Sequence, residues 1–237
     1  IRGTVRVLNG ATLTVQPGVN LLFENGSQLE IQGAISAMGT SELPIWFHSI
    51  DADQHYTRVF MNGAEGSSFY QCAFSRSRDF YGLLRIENSG PVNILTCDFD
   101  TTVNSHGIYI KNSQVIIDDI YISNIAHNGI QIESQEISGN PGSTVSLNDV
   151  YVNYCQTGVN IPQGNYPALT WGGITIHHSS SYPLYANIFN YAALGSFSSS
   201  WEGIEMLAMW ESYLYGSITL PYRSLPYYLL TNLNLNN

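Results

Sequence analysis

Lysine is almost missing from this 237-residue chain: Lys111 stands alone, and eight basic residues face 18 acidic ones for a formal net charge of -10. Without a basic stripe the chain lacks what binding to a phosphate backbone requires, so nucleic acid is not an expected partner. No run of about 18 apolar residues exists, and no charged segment followed by an apolar one opens the chain, so no transmembrane segment or secretion signal is read from it. The sequence begins abruptly at Ile1, and an upstream region is compatible with that start. Cysteine is scarce as well. Cys72, Cys97 and Cys155 form no CxxC pair and have no histidine at metal-ligand spacing, so neither a zinc nor a redox motif is supported. An odd number permits one disulfide at most, and all three read as small apolar core residues. What is abundant points elsewhere. A hydrophobic fraction of 44% supplies a continuous core, and abundant Asn, Ser, Thr and Gly with 16 tyrosines suggest an extracellular or cell-surface polypeptide.

The stretch "GATLTVQPGVNLLF" (10–23) holds two β-rich runs, Thr12 to Val15 and Leu21 to Phe23, separated by a Pro-Gly turn too tight for a helix. The same arrangement recurs. "CDFDTTVNSHGIYI" (97–110), "DIYISNIAHNGIQI" (119–132) and "DVYVNYCQTGVNI" (149–161) share a strand, a polar turn, then glycine and alternating apolar residues. "CAFSRSRDFYGLLRI" (72–86) is a looser copy, and "WGGI" at 171 and "WEGI" at 201 are echoes. The glycines Gly82, Gly107, Gly129 and Gly158 lie 25, 22 and 29 residues apart, the longest gap holding an inserted polar loop, 134–143. Strands this short are stable when each turn of a coil stacks on the one before and pairs with it along the axis at about 4.8 Å. The expectation is therefore all-β: one parallel β-helix, or β-solenoid, over residues 1–237, of about ten coils. Pro17-Gly18 then turns a corner within a coil. Cys72, Cys97, Ile120 and Val150 should form one inward ladder and Phe74, Phe99, Ile122 and Val152 the next, with the repeated glycines at corners that need positive φ or close packing. A β-sandwich remains the alternative, because Asn9-Gly10, Asn25-Gly26, Asn62-Gly63 and Asn128-Gly129 are hairpin-like dipeptides.

Residues 11–49, "ATLTVQPGVNLLFENGSQLEIQGAISAMGTSELPIWFHS", resemble the opening coils of right-handed parallel β-helix repeat proteins of the pectate-lyase-like superfamily. The shared pattern is a "tLtI-x-PG-v" coil, a "l-x-v-x-G-x-l-x-a-x-G" coil and "pI-x-F", and it covers closely only the first 50 or so residues. The resemblance implies right-handed coiling. It says little about activity, since the superfamily includes lyases, hydrolases, epimerases, adhesins and structural fibres. The final segment, "SLPYYLLTNLNLNN" (224–237), resembles the strand that precedes another such coil, so 199–237 are expected as terminal coils, either adjoining further repeats of a longer array or contacting a following copy. End-to-end contact is expected at Arg2, Val5, Val7, Tyr227, Leu229 and Leu233. Trp201, Ile204, Ala208 and Glu211 in 199–216 have helical spacing, compatible with a helix folded over a flank.

Candidate chemistry is limited. Asp98 and Asp100 alternate on one strand and point outward if Cys97 and Phe99 are core, and stacking brings Asp119 to the same face. With Asp118, His106 and Lys111 these are the candidate catalytic residues, as an acid/base pair or, for a lyase, a calcium site with a base. A polygalacturonase-type pattern is not met: "SHG" (105–107) and "AHNG" (126–129) lack the first glycine of G-H-G, and "YIK" (109–111) precedes the Asp118-Asp119 pair. Arg76, Arg78 and Asp79 read as a turn. His177 and His178 should point to opposite faces, which rules out a two-histidine chelate. Tyr109, Tyr121 and Tyr151 should point outward on successive coils, where they would stack on sugars or on a neighbouring fibre. No cofactor is implied, and calcium, though possible, has no motif. The first expectation is an extracellular structural or adhesive solenoid, a surface-fibre segment or a subunit of a head-to-tail filament, and more a non-enzyme than an enzyme. The alternative is a polysaccharide-active lyase, hydrolase or binding module, which a concave outer groove gathering these groups would favour over a flat face.

Overall fold

The computed structural model describes residues 1–51, 55–56, 58–135, 142–165 and 167–187, with the strands Phe197–Ser200, Leu207–Trp210, Tyr213–Tyr215, Tyr227–Leu229 and Asn234–Asn236. Every pairing between these strands is parallel, which excludes the sandwich and leaves a parallel β-solenoid. One wall stacks ten strands, from Thr4–Val7 through Leu84–Glu87 and Ile108–Lys111 to Tyr227–Leu229. About seven turns are complete, so the count of ten coils is approximate. A second wall runs from Thr12–Val15 through Ala34–Met38 and Ser67–Tyr70, and a third from Asn20–Phe23 through Ile45–Ser49 and Cys72–Ser77. In the middle coils these two walls are the halves of single bent strands, Val92–Thr102, Gln114–Ser123 and Thr144–Cys155.

The bends are made by side-chain-bearing residues in the left-handed region. Gln71, Thr96, Asp119 and Asp149 stack at the corner between the second and third walls with φ of 50°, 51°, 53° and 47°. Arg76, Thr101, Asn124, Tyr154 and His178 form the next corner, with φ between 49° and 65°. The repeated glycines have another role. Gly107, Gly129 and Gly158 are packed too closely for any side chain: a Cβ on Gly129 would lie 2.6 Å from Val152 Cγ1 and 2.7 Å from the Gly158 carbonyl oxygen. Gly129→Ala is therefore expected to destabilise the chain by about 1–3 kcal/mol through overpacking, read from equilibrium urea unfolding. An unchanged midpoint would disprove this contact.

The expected inward ladders are present. Cys97, Ile120 and Val150 are in register, as are Phe74, Phe99, Ile122 and Val152. Phe47, Phe74 and Phe99 stack with ring centroids 4.6 and 4.8 Å apart, the spacing that the coil rise imposes. The three cysteines are buried thiols. A second interior column is polar: the Ser89, Ser113 and Ser143 hydroxyls accept hydrogen bonds from the backbone N–H of Ala64, Ser89 and Ser113 and donate to the carbonyls of Glu87, Lys111 and Glu133. Each thus satisfies two coils at a corner where the sheet ladder ends. Of the expected inserted loop, 134–143, residues 136–141 fall outside the described residues; at its base the Ser143 N–H donates to Ser134 Oγ at 2.9 Å. The helical spacing over 199–216 is not realised at Ala208, which lies in the strand Leu207–Trp210, while Trp201, Ile204 and Glu211 fall outside the described residues. Among the described residues no helix is long and apolar enough to cross a membrane.

Candidate functional site

The third wall carries two outward columns, since alternate residues of each strand face solvent and parallel register aligns them. One runs Asn20, Trp46, Ala73, Asp98, Tyr121, Tyr151, Thr175, and the other Leu22, His48, Ser75, Asp100, Ser123, Asn153, His177. Ala73 interrupts the first column with a small side chain between Trp46 and the bulk of Tyr121, and a groove of about 540 Å³ opens there. Trp46 and Tyr121 line it with the exposed Asp98 and the half-buried Asp100, and Arg76 and Thr101 stand at its corner.

The two aspartates stand in different surroundings. Asp100 accepts hydrogen bonds on Oδ1 from Ser123 Oγ at 2.7 Å and Asn124 Nδ2 at 2.8 Å, and on Oδ2 from Thr101 Oγ1 at 2.9 Å. Burial pushes its carboxyl up, but these donors outweigh it and hold Asp100 below the usual carboxylate range. Asp98 is pushed up, first by burial and then by the charges of Asp119 and Asp100. Near the groove, burial and then the Arg76 charge lower the basicity of His48. Two neighbouring carboxyls are thus driven in opposite directions, the difference that an acid–base pair of one residue type requires.

No protein-family model matches the chain, and no curated protein matches it. Among solved structures, the alginate lyase from Paenibacillus sp. str. FPU-7 is similar at 13% identity, over 99% of this chain and 97% of that one, with a TM-score of 0.27. Neither value bears on chemistry.

The remaining candidates scatter. Asp119 stands at the corner beside Asp98, as its charge effect shows, but Asp118 belongs to the outer side of the second wall, where Asn148 Nδ2 donates to it. Lys111 lies on the first wall, 3.9 Å from Glu133, away from the groove. Tyr109 points outward as expected, between the inward Ile108 and Ile110, but it does so on the first wall and not beside Tyr121 and Tyr151, and neighbouring side chains cover it: it is 3% exposed and its hydroxyl donates to Glu133 Oε2 at 2.8 Å. The corner at Thr101 separates its wall from the one that carries Tyr121 and Tyr151. Tyr121 and Tyr151 do face outward, stacked at 4.9 Å and 10°. His177 and His178 share the outside, with rings 6.3 Å apart, because the left-handed φ of His178 breaks the strand alternation. Among the described residues no group of three or more His, Cys, Asp or Glu is placed to hold a metal ion. Trp46, His48 and the three donors to Asp100 were not singled out as site residues by the sequence, although the "PIWFHS" run was the available signal for the first two.

His106 is buried at the corner before Ile108–Lys111, and its Nδ1 accepts the backbone N–H of Asn128 at 3.2 Å, which keeps the ring neutral. Burial and then the neighbouring His127 lower it to about 4. The unfolded chain takes up this proton below about pH 6.5, whereas the folded one does so only near pH 4. Stability is thus expected to fall by about 3 kcal/mol as pH drops through that window. His106→Gln should flatten this part of the stability–pH curve in urea titrations. An equally steep curve in the variant would assign the acid lability elsewhere.

Proposed function

We propose that the groove on the third wall binds a polysaccharide and cleaves its glycosidic bond, with Asp98 as general acid and Asp100 as general base. The observation that carries this reading is the Asp98–Asp100 pair itself, two carboxyls in one groove with their proton affinities driven apart. The two residues stand about 6.8 Å apart along the strand backbone, and the mechanism proposed is the inverting one, with a water beside the base. Asp98 gives its proton to the departing glycosidic oxygen as the C–O bond breaks. Asp100 takes a proton from the attacking water as its oxygen bonds to the anomeric carbon, and exchange with solvent then restores both groups. Trp46 and Tyr121 offer apolar faces of the kind that sugar rings stack on. An extracellular setting fits such a substrate. Incubation with a panel of acidic and neutral polysaccharides at pH 4–7 should release reducing ends from at least one. Neither cleavage nor binding of any would overturn the reading.

A second reading, a fibre segment with end-to-end contacts, is favoured by the first coil. Val5 belongs to the inward column of Leu29 and Val59 and yet is 41% exposed. Of the other contact residues, Arg2 pairs with Glu24, Val7 is buried and Tyr227 is half-buried, and the side chains of Leu229 and Leu233 fall outside the described residues. Sedimentation at high concentration should then show assemblies longer than one chain, and a monomer throughout would sink the idea.

A further inference from the structure

We propose that a glycan lies across the solenoid in this groove, perpendicular to its axis, held between Trp46 and Tyr121 and leaving over the corner at Arg76 and Thr101. This inference rests on the glycan reading and adds the direction of the chain and the length of the site. Trp46 and Tyr121 occupy one outward column three coils apart, about 14 Å along the axis. Tyr121 has one face covered by Tyr151, in a near-parallel stack at 4.9 Å, so its open face turns back along the axis over Asp98 and Ala73. Trp46, 42% exposed, closes the opposite end. Beyond Tyr121 the surface is filled, since Tyr151 packs in turn against His177 at 5.0 Å.

A chain running along the axis therefore meets an aromatic wall at both ends. Across the axis the way is open, because Ala73, Ser75 and Asp98 are small and the groove continues to the corner at Arg76 and Thr101. The direction also sets the chemistry. Asp98 and Asp100 follow one another along a strand, hence across the solenoid, so a crosswise chain passes both carboxyls in turn. A wall four residues wide spans about 13 Å, room for about three sugar rings. The site is short.

The deciding experiment titrates the Asp98→Asn protein calorimetrically with oligogalacturonates and cello-oligosaccharides of two to eight units. For the series that binds, affinity should rise up to about three units and then level off. Trp46→Ala and Tyr121→Ala, each introduced beside Asp98→Asn, should weaken binding by about three- to tenfold. His177→Ala, beyond the wall, should change it less than twofold. Affinity that climbs steadily to eight units, or a loss in His177→Ala equal to that in Tyr121→Ala, would overturn the crosswise arrangement and leave glycan binding standing. Failure of both series and of a broad glycan array to bind would overturn the glycan reading and this inference with it.

Discussion

Asp98→Asn is expected to lower glycan cleavage by about 10²–10⁴-fold, the usual contribution of a positioned general acid, without loss of stability at neutral pH. The two outcomes share one cause. Burial and the charges of Asp119 and Asp100 raise the Asp98 carboxyl, so the folded state favours its neutral form. A carboxyl raised on folding contributes stability at low pH that is lost as pH rises through its folded value. An uncharged amide escapes that loss, and the variant should be at least as stable as the parent at pH 7. Asp100→Asn should cost activity to a similar extent, but it also replaces an oxygen that accepts from Thr101 and so should lose about 1 kcal/mol. The pH profile of kcat/KM follows from the same pair. Activity should rise as Asp100 loses its proton, below the ordinary carboxylate range, and fall as Asp98 loses its own, above it. Residual activity in Asp98→Asn should lack the falling limb. Cleavage within threefold of the parent would remove Asp98 from the mechanism.

Ladder residues were legible in the sequence because a parallel solenoid repeats one physical environment per coil. Cys97, Ile120 and Val150 take equivalent places, and their alternation with Asp98 and Tyr121 fixes which side chains face out. Corners were harder to read. Thr96, Asp119, Thr101, Asn124 and His178 take left-handed φ without being glycine, so composition does not mark where alternation restarts. His178 departs from alternation for that reason, and the same corners put Tyr109 on a different wall from Tyr121 and Tyr151. The repeated glycines, the evident marker, instead report how closely neighbouring coils approach. The groove depends on Ala73, in a looser copy, and on Trp46, at the unspecified position of "pI-x-F", and a small residue in an outward column becomes a cavity only once register is known. Asp100 was a candidate from its strand alone. Its three donors come from its own coil and the next, and only stacking brings them together.

Phe74→Ala is expected to cost about 3–5 kcal/mol, the range for emptying a buried phenyl site, and to break the chain's cooperativity. Phe74 is 1% exposed and lies between the parallel rings of Phe47 and Phe99, with Phe69 edge-on at 5.5 Å. The coils above and below are tied to theirs by backbone ladders, so they cannot move together to fill the void, and the cavity term should approach its full value. A solenoid transmits stability only from each coil to its neighbours. A defect in the third coil therefore separates the first coils from the bent-strand coils that follow. Urea unfolding followed by tryptophan fluorescence should split into an earlier, shallower step from Trp46 and a later one from Trp171, Trp201 and Trp210, with far-UV circular dichroism weighted to the later step. Phe74→Leu, which leaves most of the volume filled, should keep a single transition at smaller cost. The groove provides an independent readout. Phe74 lies in the strand between Ala73 and Ser75 and forms part of the groove lining, so collapse of its ring site should shift the floor beneath Asp98 and weaken glycan binding in the Ala variant more than in the Leu variant. A loss below about 1 kcal/mol with coincident transitions would mean that the aromatic stack fills space without coupling the coils.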